Sequence, residues 1–182
     1  MNWQQHFDLG ADTERWWREH IRQSMPYLRH TGAKEWDFKG KCDDTTVLVD
    51  VKFCKTRYRK PGWIEVKSWG KLTGIVNAAK SVYNDDNTLV SLVVLHCGWW
   101  FMYDVKLMLQ AWRGGTLPLE ESNVWDDAQG EHIKGWNWQM NGWEDERFLI
   151  QCGPLRKELW NPRTSIGGKV DINAWFEGEW KL

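Results

Sequence analysis

Asp37 is followed thirteen residues later by Asp50-Val51-Lys52, inside the stretch EWDFKGKCDDTTVLVDVKF. Side chains alternate faces along a strand, so Asp50 and Lys52 point the same way. A hairpin turning at 40–44 would bring Asp37 beside them. Two carboxylates and an ammonium on one apolar sheet face carry a desolvation cost. A divalent cation and a phosphate bound there would explain why the cost is tolerated. Carboxylates suit hard cations such as Mg2+. Such a cation helps phosphodiester hydrolysis by stabilising charge at phosphorus and activating water.

The elements that must hold these residues can be read from periodicity and breakers. Residues 11–25 (ADTERWWREHIRQSM) form the best helix, with Asp12 or Thr13 as cap and Pro26 beyond the end. Strands are expected at about 34–40, 46–54 and 62–69, as an antiparallel meander. Residues 73–83 read as a short helix, and 89–96 (LVSLVVLH) as a strand buried on both faces. A further strand follows Gly98, and a helix over 105–112 ends at Gly114-Gly115. From 116 onward, Trp alternates with polar residues and Gly, which fits short strands and loops. The expected organisation is an α/β core over 1–112 and a Trp-rich elaboration over 113–182 packed on it, one structural domain in all.

Composition excludes some functions. With 42% hydrophobic and 27% charged residues, the chain has the make-up of a globular protein. No apolar run reaches membrane-spanning length, and the first residues lack the charged and apolar regions of a signal peptide, so a cytoplasmic protein is expected. Cys42, Cys54, Cys97 and Cys152 form no C-x-x-C pair and read as free thiols. The net charge of -1 gives no global attraction to nucleic acid. Residues 45–80, however, carry eight Lys/Arg against two acids, a local basic surface beside the acidic constellation. The 16 tryptophans are read mostly as packing residues, with base or sugar stacking as the alternative. Trp16-Trp17 and Trp99-Trp100 are not expected to face inward as complete pairs.

The order helix, strands, helix, strand, together with D…D-x-K, resembles the PD-(D/E)XK nuclease superfamily over roughly residues 10–112. Its core is a mixed sheet flanked by helices, the restriction-endonuclease-like fold. Asp37-Phe38 followed by V-D-V-K looks like the arrangement in phage endonuclease I, the Holliday-junction resolvase. The helix start around Glu14 resembles the place where those enzymes carry a helical active-site glutamate. Gly62-Trp63-Ile64-Glu65, followed by KLTGIVNAAKSVY, resembles a phage nuclease group with an acid on the next strand and an S/T-G-I turn into a helix. Two positions depart from the pattern: Trp36 stands where proline is usual, and Asp50 where Glu is commoner.

The resemblance implies a metal-dependent endonuclease acting on DNA. Asp37 and Asp50 would hold Mg2+ or Mn2+, with the Val51 carbonyl as a further ligand. Lys52 would orient water or stabilise charge, and Glu14 and Glu65 would complete the acidic set. The same resemblance raises the expectation of a homodimer. Lys55, Arg57, Arg59, Lys60 and Lys67 are candidates for gripping the nucleic acid. A rival register takes Glu65-Val66-Lys67 as the E-x-K with Asp50 upstream. A non-catalytic Trp-rich module binding nucleic acid or carbohydrate is the alternative function.

Overall fold

The alternating apolar run TTVLVDVKF forms the strand on which the site is built. In the computed structural model, which describes residues 3–54, 63–68, 71–126 and 131–156, this strand is β3 (Thr45–Phe53). It pairs antiparallel with β2 (Phe38–Cys42) through a tight turn in which Asp43 takes a positive φ of 51°. Beyond β2 lies the two-residue edge strand β1 (Arg29–His30).

On its other side β3 pairs in parallel with β6 (Thr88–His96). The sheet continues antiparallel through β7 (Trp99–Asp104) to β10 (Leu149–Pro154), giving the order β1-β2-β3-β6-β7-β10. The protein is therefore α/β, with a mixed, mostly antiparallel central sheet of six strands. Every residue of β6 except Leu89 is buried, as a continuous apolar run predicts.

The expected meander is not formed. The third strand, β4 (Trp63–Ser68), belongs to a second sheet with β5 (Lys71–Leu72), β9 (Glu131–Gln139) and β8 (Leu119–Asp126), in the order β5-β4-β9-β8. The edge of β3 that β4 would have taken is occupied by β6. Strand proximity in sequence says nothing about such a replacement when a long apolar strand arrives later. The C-terminal part thus completes both sheets: β8 and β9 extend the second, and β10 the first.

Among the described residues three helices cover the central sheet. α1 (Trp3–Ile21) starts earlier than expected, so Asp12 and Thr13 lie inside it rather than at its start; Thr13 is fully buried. Trp3 and Phe7 extend the apolar spacing toward the N-terminus, and Gly10, at a cost of roughly 1 kcal/mol, does not interrupt it. The helix closes where the amides of Ser24 and Met25 both donate to the Ile21 carbonyl. α2 (Gly74–Ser81) and α3 (Val105–Arg113) lie against the opposite face; Asp104 caps α3 through its side chain.

Two cores result. Trp16, Trp17 and Ile21 of α1 pack on Phe38, Val47, Val49, Val51 and Leu95. On the other side Ile75, Val76, Met108 and Leu109 pack on Leu48, Leu92 and Val94, and Ile64, Val66 and Trp138 of the second sheet join them. Trp16-Trp17 is buried as a complete pair, contrary to the expectation above, whereas in Trp99-Trp100 the first is half-buried and the second buried. Trp17 faces the sheet, and Trp16 is covered by the segment after β10, donating to the Arg156 carbonyl at 3.3 Å. Trp99 and Trp100 lie on opposite faces of a sheet covered on both sides. Among the described residues no helix is long and apolar enough to cross a membrane.

Candidate active site

The end of β2 sets the geometry of the site. The Asp37 amide donates to the Val49 carbonyl at 2.9 Å, so Asp37 sits just before β2, opposite the middle of β3. Its carboxylate then accepts a hydrogen bond from the Val51 amide at 2.7 Å. The strand pairing would have left that amide without a partner where β2 has not yet begun. Asp37 supplies one and is thereby placed next to Asp50 and Lys52.

Asp50 is 5% exposed and its carboxylate accepts from the Lys52 ammonium at 2.9 Å. Burial pushes its pKa up; the Asp37 carboxylate pushes it further while Lys52 pulls it down, and the balance lies at about 7. Desolvation works against the charge on Lys52, but Asp50, Asp37 and Glu14 outweigh it and its pKa is raised. Glu14, on α1, is raised by burial first and by Asp37 second, against the opposing pull of His30 and Lys52. Glu14, Asp37, Asp50 and Lys52 thus share one electrostatic neighbourhood at the end of the β2–β3 hairpin.

Val51 is placed by backbone alternation. The amides of Thr46 and Cys54 donate into the β6 side, so even-numbered backbone groups of β3 face β6. Odd-numbered groups face β2, and the Val51 carbonyl with them, on the side where Asp37 stands.

Glu65 reaches the site from the second sheet. It is exposed, and it lines a cavity of about 360 Å3 together with Asp50, Lys52, Thr73 and Ile75. Thr73 is the N-cap of α2, so the Thr73-Gly74-Ile75 turn forms one wall. Among the described residues no three His, Cys, Asp or Glu side chains stand close enough together to form a ready-made metal cage. Glu65 shares the cavity wall with Asp50 and Lys52, while Asp37 lies outside that lining.

In the rival register, Asp50 and Glu65 would lie on neighbouring strands. β3 and β4 are in different sheets, and a register shift falls between Glu65 and Lys67, interrupting the alternation that would align them. The basic connection with Lys55, Arg57, Arg59 and Lys60 lies outside the described residues, and of Lys67 the structure describes the backbone, in β4.

One neighbour escaped the sequence reading. His30 contacts Glu14 at 2.6 Å between Nε2 and Oε2, and its ring packs edge-on against Phe38 at 5.4 Å. Nothing in the local sequence singles out His30; only the pairing His30↔Phe38 brings it to the site. All four cysteines are free, and Cys54 lines the cavity beside Asp50 and Lys52. Comparison with protein-family models, with curated proteins and with solved structures finds no match.

Proposed function

We propose that the chain is a divalent-metal-dependent nuclease that hydrolyses phosphodiester bonds, with DNA the favoured substrate. The observation that carries this reading is the Asp37 carboxylate held on the Val51 amide at 2.7 Å, beside a buried Asp50 paired to Lys52. A buried, half-neutralised carboxyl next to a second carboxylate is costly to keep. A cation between the two would convert that cost into affinity. Asp37, Asp50 and the Val51 carbonyl are hard oxygen donors at the open end of the β2–β3 hairpin, a donor chemistry that suits Mg2+ or Mn2+. When bound, the cation supplies charge stabilisation at phosphorus and a more acidic water.

The chain's own groups would do the rest. The Lys52 ammonium has three donors, one of which is given to Asp50. The other two remain for a phosphate oxygen and for the attacking water. Glu14 extends the negative field from α1, and Glu65 borders the space in which the scissile phosphate would sit. Every described tryptophan side chain is buried or half-buried, which favours packing over base stacking and so favours catalysis over a Trp-rich binding module.

The test is cleavage of labelled DNA of several structures, with and without Mn2+, by wild type and Asp50→Asn. Metal-dependent cleavage that disappears in Asp50→Asn supports the reading. Binding without cleavage under any metal would replace it with a non-catalytic nucleic-acid module.

A further inference from the structure

The faces of β2 can be assigned residue by residue. Phe38 is buried, edge-on to Trp17 of α1 at 5.2 Å, so the even-numbered positions of this strand face α1. Lys39 and Lys41 therefore face the other way. Their partners across the ladder are Leu48 and Thr46. Leu48 belongs to the core on the α2 side, the face that also carries Asp50 and Lys52. Lys39, Lys41 and Lys52 thus stand on one face of the sheet, and the row begins beside Asp37.

Arg29 on β1 is the direct partner of Lys39, and both are exposed. Like charges directly opposite one another destabilise a strand pair. The Arg29 guanidinium donates to the carbonyls of Pro26 and Leu28, which holds it at the edge of the sheet. Among the described residues no carboxylate pairs with Lys39 or Lys41. The row ends at the exposed Asp43-Asp44 turn, whose charge would turn a polyanion away, so its length is limited to a few contacts. Lys39 and Lys41 lie about 7 Å apart, two strand residues, and can engage different phosphates.

We infer that Arg29, Lys39 and Lys41 form the track along which the phosphate backbone of a nucleic-acid strand runs into the Asp37–Asp50–Lys52 corner. This rests on the nuclease reading for its direction and on the sheet register for its composition. It is separate from the connection at 55–60 that the sequence suggested for the same task.

The test is the salt dependence of binding, measured without added metal by fluorescence anisotropy on a labelled DNA duplex and its RNA counterpart. Wild type is compared with Lys39→Gln/Lys41→Gln and with Lys134→Gln, which removes a charge paired to Glu121 on the second sheet. The double variant is expected to lower the slope of log K against log salt by about two, roughly 0.9 per lost phosphate contact on duplex, while Lys134→Gln leaves it unchanged. All three positions are exposed, and thermal unfolding confirms that folding is intact. An unchanged slope in a wild type that binds and cleaves overturns the track and leaves the nuclease reading standing; the lysines would then only guard a sheet edge. A reduced slope in a protein that never cleaves keeps the track and removes the nuclease reading. Failure of wild type to bind either duplex overturns the track.

Discussion

Glu14 on α1 and His30 on β1 meet at 2.6 Å, bridging the helix to the sheet edge beside Asp37. The contact opposes the rise that burial and Asp37 impose on the Glu14 pKa, and so favours the anion that the proposed cation would need. On the proposed reading His30 would act through Glu14, as a positioning residue. His30→Ala is expected to weaken cleavage about tenfold, mainly through apparent metal affinity, as loss of an outer partner usually does. His30→Gln should restore part of it. Saturating Mn2+ rescuing His30→Ala would support this role; an unchanged metal requirement would remove it.

Asp50 reverses the usual carboxylate dependence of stability on pH. Its folded pKa, about 7, lies above the unfolded value of 3.8, so the folded protein binds the proton more tightly. Stability from this group is complete below the unfolded pKa and is lost as pH rises toward and through 7. Asp50→Asn removes the buried charge and leaves Lys52 exposed to water. The variant should be more stable than wild type at pH 8 by on the order of 1 kcal/mol, about 2–4 °C in Tm for a chain of this size. The gain should shrink toward pH 4. Equal Tm differences at both pH values would contradict the buried-charge account.

The same carboxyl would set the pH dependence of the proposed metal binding. Asp50 must be ionised to hold a cation, and below about pH 7 it is mostly protonated. Affinity for Mn2+, followed by calorimetry, should rise about tenfold per pH unit below 7 and level off above it. A profile that levels off near pH 4 would mean that Asp50 is not a ligand.

Periodicity and spacing were enough to locate the hairpin, the Asp50–Lys52 pair, β6, β7, α2 and α3. Those elements are defined by local patterns: alternation in VLVDV, an unbroken apolar run in LVSLVVLH, and the Gly114-Gly115 stop after the third helix. What escaped depends on partners distant in sequence. The second sheet forms because β9 pairs with β4 across some seventy residues, and no pattern within β4 announces it. Trp16 is buried by a segment 140 residues away. Glu14 was legible as a helical acid, whereas its partner His30 required the register of a two-residue strand.

Gly74 links a sequence motif to the site by close approach. A Cβ at this position would lie 2.8 Å from the Lys34 carbonyl oxygen and from the Cα of Glu35, backbone atoms that cannot rotate away. The segment it touches leads directly into Asp37. Alanine would gain up to about 1 kcal/mol of helix propensity at the start of α2. Overpacking at a cost of roughly 1–3 kcal/mol outweighs that gain. Gly74→Ala should therefore lower Tm and also lower cleavage through displacement of Asp37. A more stable, fully active variant would show that the contact is not tight.

The choice between Lys52 and Lys67 can now be tested with a structural reason behind it. Lys52 contacts Asp50 at 2.9 Å and lines the same cavity as Glu65. Lys67 follows an irregularity in β4, and its strand does not pair with the one that carries Asp50. Lys52→Ala should lower metal-dependent cleavage by about 10²-fold or more, the usual loss when a group that stabilises transition-state charge is removed. Because it leaves Asp50 buried without its partner, it should also raise the proton affinity of Asp50 and shift the metal-binding profile to higher pH. Lys67→Ala should keep most of the activity and leave that profile in place. If Lys67→Ala abolishes cleavage while Lys52→Ala retains it, the Asp37/Asp50/Lys52 assignment fails, whatever the outcome for Asp50.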